Sequence, residues 1–217
     1  MNDTNALRPV DDSQRVFHGF SHASLWFSLG VGLLVMQVGA YLVPATGTRD
    51  ALLAIVIGSV LGAGLLAWTA RIGCDSGLSS AGLMHQVYGS AFARLPVLLN
   101  IVQLVGWTTF ELVVMRDGTA SIWQQASGQS LAPLWPTLLW LSWHFLGVLQ
   151  AQGVDAFMGR QGDGSMGLLS AVDLVIAMPV SWLPLVADYA RHGRSGRSTL
   201  AGTWIGYALA NAWCYAL

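Results

Sequence analysis

Two tryptophans and one acid are the residues whose type and placement suggest chemistry. Trp107 lies in an apolar stretch, one helical turn before Glu111. Trp182 lies in a second apolar stretch, between Pro179 and Pro184. A carboxylate and a helix broken by proline are both costly inside a bilayer, so they indicate a place where something polar is handled. Two indole faces nearby favour a flat aromatic ligand.

The composition is that of an integral membrane protein. Hydrophobic residues make up 54% of the chain and charged residues only 10%, whereas soluble domains usually carry about 25% charged residues. Ten tryptophans fit a protein whose rings sit at membrane interfaces. The net charge of −1 gives no basic footprint for nucleic acid, so no nucleic-acid partner is expected.

Six apolar stretches predict the spans of one transmembrane domain, residues 21–217, which follows a polar tail of residues 1–20. Each stretch has about the 20 residues that cross roughly 30 Å of hydrocarbon. The predicted fold is therefore an all-α, polytopic helix bundle in the lipid bilayer. The predicted spans are 23–44, 51–70, 96–123, 131–149, 168–188 and 200–217.

The arginines predict which ends of the spans face the cytoplasm. The tail carries Arg8 and Arg15, and the loop 191–197 carries three more arginines. Basic loops stay on the cytoplasmic side, so we expect a cytoplasmic N-terminus and a cytoplasmic 191–197 loop. A single crossing by 131–149 would instead place that loop outside. The span count and the arginine rule therefore conflict at this point.

Three segments resemble helices of the nucleobase:cation symporter-1 family. The segment 181–191, SWLPLVADYAR, is similar to the family's sixth helix, and 106–111, GWTTFE, is similar to its third helix. The segment 25–44 is similar to the first helix. The likeness extends from Phe20 onward and is closest to hydroxymethylpyrimidine (thiamine-precursor) transporters.

This resemblance implies a twelve-helix transporter built from two inverted five-helix repeats and two further helices. The chain corresponds to about half of that architecture, with discontinuous helices expected near Gly32 and at Pro179–Pro184. The stretch 131–149 is similar to the start of the fourth helix joined to the end of the fifth. We therefore expect a C-terminal truncation and an internal deletion, which would explain the conflict in the arginine rule.

By resemblance, Trp107 and Trp182 stack on the two faces of a heterocycle; the alternative is that they are interfacial or core tryptophans. Gln103, Trp107 and Glu111 are spaced four apart and so share one helix face. Glu111 is expected to accept hydrogen bonds from an aminopyrimidine edge or to carry a proton. Its alternative role is a pair with a neighbouring span or with Arg116.

Other polar groups are expected to complete the site. Gln37 is either a substrate-facing amide or an interhelical hydrogen-bond donor. By resemblance, the backbone carbonyls near Val31 and Leu34 coordinate a sodium ion. No metal site is expected, since neither His85 nor His144 has a second ligand at helical spacing.

The resulting hypothesis is a multi-pass, cation-coupled symporter of the inner membrane. Its substrate would be a pyrimidine-like nucleobase or hydroxymethylpyrimidine, and its coupling ion sodium or a proton. The alternative is a non-transporting membrane fragment or decayed gene product. No catalytic motif or cofactor loop is present, so an enzyme is not expected. The sequence leaves the oligomeric state open.

Overall fold

The computed structural model describes the backbone of residues 7–125 and 134–217, and the side chains within these ranges except 116–138, 140 and 141. The described chain is predominantly α-helical, which confirms the predicted fold class. A short 3-10 turn at Asp12–Gln14 precedes the first α-helix. The α-helices in chain order are α1 (Gly19–Gly30), α2 (Leu33–Thr46), α3 (Thr48–Ser76), α4 (Ser80–Phe92), α5 (Arg94–Gln125), α6 (Leu134–Gln152), α7 (Val154–Met158), α8 (Leu168–Ser181), α9 (Leu183–Ala190) and α10 (Gly196–Ala216).

Both predicted helix breaks are confirmed. The pair α1 and α2 is bent by 64°, and Val31 and Gly32 between them have extended backbone angles. The pair α8 and α9 is bent by 42° at Trp182. Pro184 falls in the first turn of α9, where a missing amide proton costs least, so this proline starts a new helix.

The helices differ in how well they qualify as membrane spans. Within the described residues, α3 and the Arg94–Met115 part of α5 are long and apolar enough to cross a bilayer unbroken. Each bent pair would add one span, giving up to four. The predicted span 200–217 forms α10, which has 21 residues but is less apolar. The predicted span 131–149 lies partly outside the described residues.

The core forms where α10 packs between α1 and α3, and where α3 packs against α8 and α9. Small residues line these contacts and let the backbones approach closely. On α3, Gly58 faces Val175 and Gly62 faces Pro179 of α8. The broken helix α8–α9 is therefore held directly against the long span α3.

Gly58→Ala is expected to lower stability because the added methyl group has no room. A β carbon on Gly58 would lie 2.6 Å from Cβ of Val175 and 3.0 Å from the Val172 carbonyl oxygen. Forcing extra carbon into a packed contact costs about 1–3 kcal/mol. Gly64→Ala on the same helix is the matched control, since the nearest atom to a β carbon on Gly64 would be Trp204 Nε1, 3.8 Å away. Equal thermal midpoints for the two variants in detergent would contradict this packing.

The N-terminal tail and the basic loop lie at the same end of the bundle. Phe17 forms a backbone bridge with Gly193, and the Arg15 guanidinium donates to the Cys74 carbonyl at 2.8 Å. Gly47, which lies between α2 and α3, instead bridges to Gln161 at the opposite end. The tail and the 191–197 loop, which the arginine rule puts on one side, therefore lie at the same end of the described bundle, while the number of crossings by 131–149 stays a prediction.

Candidate functional site

One cavity brings together the two tryptophans and the acid that the sequence singled out. It has a volume of about 400 Å³, within the range of about 300–1,000 Å³ typical of small-molecule pockets. Its walls come from α5 on one side and from α8, the break and α9 on the other. The lining residues are Leu104, Trp107, Thr108, Glu111, Leu112, Met115, Met178, Ser181, Trp182 and Leu185. We call this space the central cavity.

The Trp182 ring is held at the break between α8 and α9 by other aromatic rings that pack against it. Its ring meets Trp26 of α1 edge to face, with ring centroids 6.0 Å apart, and Trp26 is fully buried. Trp26 also contacts Tyr189 at 5.9 Å and Tyr207 at 6.2 Å. These four aromatic residues form a cluster that fixes the Trp182 ring on one side and leaves its other side to the central cavity.

Glu111 lies where the central cavity meets the break between α1 and α2. A β carbon built on Gly32 would be 3.7 Å from Oε1 of Glu111, so the carboxylate is adjacent to the extended residues of that break. No ion pair to Glu111 is found among the described side chains. The side chain of Arg116, the alternative partner of Glu111, is outside the described side chains. The site therefore places one acidic group beside two indole rings and one helix break.

The two glutamines predicted as ligands lie elsewhere. Gln103 is not among the residues that line the central cavity; its Nε2 donates to the Ser181 carbonyl at 2.9 Å. Gln37 is exposed on α2 and does not line the cavity either. Substrate binding by these two side chains stays a prediction.

The two residues predicted to offer carbonyls to a cation lie at the first break. Val31 is within the break and is buried, with 8% of its surface exposed. Leu34 lies in the first turn of α2. The last carbonyls of a helix lack amide partners within that helix, so the end of α1 offers acceptors at this point. Cation binding by Val31 and Leu34 also stays a prediction.

Metal-ligating groups are scattered in the part of the chain that the structure describes. No three His, Cys, Asp or Glu side chains there come together as a metal site. Cys74 and Cys214 are both buried free thiols. The side chains that line the central cavity offer aromatic faces, hydrogen-bonding groups and one carboxylate.

A second cavity of about 290 Å³ lies near the end of the bundle that contains Gly47. We call it the end cavity. It is lined in part by Val43, Phe157, Arg160 and Tyr215, and the Arg160 guanidinium donates to Gln152. Its lining contains neither a tryptophan nor an acidic side chain. It therefore lacks the paired indoles and the carboxylate that distinguish the central cavity.

Sequence reasoning missed two features that support the central cavity. Asn100, one turn before Gln103 on α5, donates from Nδ2 to the Pro184 carbonyl at 3.0 Å. The only sequence signal was an amide inside an apolar stretch. Trp26 was one of ten tryptophans, and no local pattern distinguished it from the others.

The sequence of this chain is similar to that of a family of known proteins. Residues 9–151 match the family model described as permease for cytosine/purines, uracil, thiamine, allantoin. The chain is also 25% identical over 136 residues to purine-cytosine permease FCY22 of Saccharomyces cerevisiae. That alignment covers 61% of this chain and 25% of the relative, so the matched part spans a quarter of the relative's length.

The family match includes Trp107 and Glu111 and ends before Trp182. The place of Trp182 in the site therefore rests on the cavity geometry. The resemblance to the nucleobase:cation symporter family is confirmed, while the assignment to its thiamine-precursor branch stays a prediction. Because the match covers well over half of the sequence, the chain belongs to the family of permeases for cytosine/purines, uracil, thiamine and allantoin.

Proposed function

We propose that this chain serves cation-coupled transport of a pyrimidine-like nucleobase, with hydroxymethylpyrimidine as the finer candidate substrate. The observation that carries the proposal is the central cavity, which joins Trp107, Trp182 and Glu111 in one space of about 400 Å³. A yeast relative named purine-cytosine permease supports a nucleobase as the substrate class.

The cavity chemistry favours a flat ring that carries N–H donors. An indole face stacks on any planar ring, so Trp107 and Trp182 would set the shape of the ligand and not its identity. An ionised carboxylate only accepts hydrogen bonds, so Glu111 would prefer an aminopyrimidine edge to a ring that presents carbonyls alone. Cytosine and hydroxymethylpyrimidine both carry the amino group that this selection requires.

The α1–α2 break supplies the proposed place for a coupling cation. The carbonyl end of α1 is the negative end of its dipole, and the Glu111 carboxylate lies next to this break. Carbonyls at Val31 and Leu34 together with a nearby carboxylate would favour sodium or a proton over an anion. Broken helices at a midplane site are typical of secondary transporters, which alternate access by rocking around such a site.

We propose the inner membrane as the location, with the tail on the cytoplasmic face. The support is that the tail and the arginine-rich 191–197 loop meet at one end of the bundle. A cysteine placed at Arg194 should resist a membrane-impermeant maleimide added to intact cells. Rapid labelling from outside would contradict this orientation.

Uptake by proteoliposomes tests the function. The purified chain is expected to accumulate radiolabelled cytosine or hydroxymethylpyrimidine when an inward sodium or proton gradient is imposed. Collapsing the gradient with an ionophore should abolish the accumulation, and liposomes without protein are the control. If the chain binds the ligand at equilibrium but does not take it up, the central cavity remains the proposed binding site and transport by this chain is contradicted. If neither binding nor uptake occurs, the alternative of a non-transporting membrane fragment is favoured.

A further inference from the structure

The break between α8 and α9 leaves the Ser181 carbonyl without its usual helical donor. In a continuous helix, the Leu185 amide would donate to the Ser181 carbonyl, four residues earlier. Here the Leu185 amide donates to the Trp182 carbonyl at 3.0 Å, and the Val186 amide donates to the same oxygen. The Ser181 carbonyl, next to the cavity tryptophan, therefore needs a donor from another part of the chain.

Helix α5 supplies that donor with Gln103 and makes a second bond to the other side of the break with Asn100. Gln103 Nε2 donates to the Ser181 carbonyl at 2.9 Å, and Asn100 Nδ2 donates to the Pro184 carbonyl at 3.0 Å. The two amides lie one turn apart on α5, and their two acceptors lie on either side of Trp182. An unsatisfied carbonyl in the bilayer interior is costly, so the Gln103 bond favours one particular placement of α5 against the break. The Asn100 bond adds a second point of attachment at the start of α9.

The two tryptophans that line the central cavity lie close to the bonded residues in the chain. Trp107 is one helical turn beyond Gln103 on α5, about 6 Å along the axis. Trp182 directly follows Ser181, the residue that accepts the Gln103 bond. A shift of α5 relative to the break would therefore move the Trp107 ring relative to the Trp182 ring.

Within the part of α5 whose side chains are described, few other contacts hold the helix in place. Within the described side chains, Leu98, Val102 and Val105 of α5 are each more than half exposed. Side-chain hydrogen bonds between membrane helices stabilise the packing of one helix on another. Because α5 buries so little of its surface, two such bonds contribute much of its attachment to the rest of the bundle.

We propose that Asn100 and Gln103 form an amide clamp, which fixes α5 to the α8–α9 break and so positions Trp107 and Glu111 opposite Trp182. The clamp acts on the ligand through the tryptophans and not by direct contact, which makes Gln103 a positioning residue in place of a substrate ligand. This inference rests on the proposed function only in taking the central cavity as the binding site.

The test combines a distance measurement without ligand and a binding measurement. Spin labels at Val105 on α5 and Leu65 on α3, both exposed positions, report how α5 sits relative to the core. Cys74 and Cys214 are replaced by alanine in every variant so that only the new cysteines are labelled. The clamp is removed with Asn100→Leu and Gln103→Leu, singly and together.

The matched control is Thr109→Val. Thr109 is exposed on α5, and its hydroxyl donates to the Val105 carbonyl of its own helix. This variant loses a hydrogen bond of α5 but none between α5 and the break. Any general effect of polar-to-apolar substitution on α5 should therefore appear in Thr109→Val as well.

Removing both amides is expected to broaden the Val105–Leu65 distance distribution and to weaken cytosine binding about tenfold, which corresponds to about 1.4 kcal/mol. Thr109→Val should change neither quantity. An unchanged distance distribution in the double variant would overturn the clamp whatever the binding result. Unchanged affinity beside a lowered thermal midpoint would reduce the pair to a purely stabilising role and would also overturn it. If the wild-type chain binds no cytosine, the proposed function fails, and the distance measurement alone decides whether the clamp exists.

Discussion

Replacing Glu111 by alanine is expected to weaken cytosine binding by about 10- to 150-fold, since a hydrogen bond to a charged group is worth about 1.5–3 kcal/mol. The carboxylate is the one acidic group among the residues that line the central cavity. Its loss removes the acceptor for the ligand's amino group and the negative charge beside the α1–α2 break. Gradient-driven uptake should fall below detection, because the coupling cation would lose its counter-charge as well.

Glu111→Gln separates charge from shape in this prediction. Glutamine keeps the length of the side chain and one acceptor oxygen, so cytosine affinity should fall less than in the alanine variant. Coupling to the cation gradient should be lost in both variants, because neither carries the charge. Equilibrium binding and uptake of labelled cytosine measure the two effects. Wild-type affinity in Glu111→Ala would exclude the carboxylate from the site.

Trp182→Ala is the second substitution with a large expected effect. Stacking of a base on an aromatic side chain is worth about 1–3 kcal/mol, so cytosine affinity should fall by roughly 5- to 150-fold. The substitution also removes the ring that packs against buried Trp26. Truncating a fully buried tryptophan costs about 3–5 kcal/mol of stability, and the cost should be smaller here because Trp182 is only partly buried. The thermal midpoint must therefore be measured beside the affinity.

Two further variants separate stacking from stability at this position. Trp182→Phe keeps an aromatic face and should retain much of the affinity that alanine loses. Trp204→Phe is the matched control, since the Trp204 indole donates to the Val60 carbonyl and does not line the central cavity. Affinity that falls equally in Trp182→Phe and Trp204→Phe would show a general loss of folding and would contradict a stacking role for Trp182.

The sequence predicted the features that local chemistry determines. The proline pair predicted the α8–α9 break, because proline removes an amide donor wherever it stands. The spacing of Trp107 and Glu111 placed both on one face of α5, and both line the central cavity. The arginine distribution predicted that the tail and the 191–197 loop share an end, and the Phe17–Gly193 bridge joins them.

The sequence could not identify the partners of the buried amides. Gln103 was expected to face a substrate because it shares a helix face with Trp107 and Glu111. Its acceptor is a backbone carbonyl 78 residues later in the chain, and the acceptor of Asn100 is 84 residues later. Which carbonyl loses its helical donor at a break depends on the angle and offset between the two helices on either side of it. Helix propensity and hydrophobic periodicity do not determine that geometry.

Photochemical labelling with a radiolabelled azidopyrimidine tests the central claim most directly. After irradiation of the purified chain in nanodiscs, peptide mapping should locate the adducts within 104–115 and 178–185. Excess unlabelled cytosine should suppress them. Adducts confined to the end cavity, around Phe157, Arg160 and Tyr215, would contradict the claim that a heterocycle binds between Trp107 and Trp182.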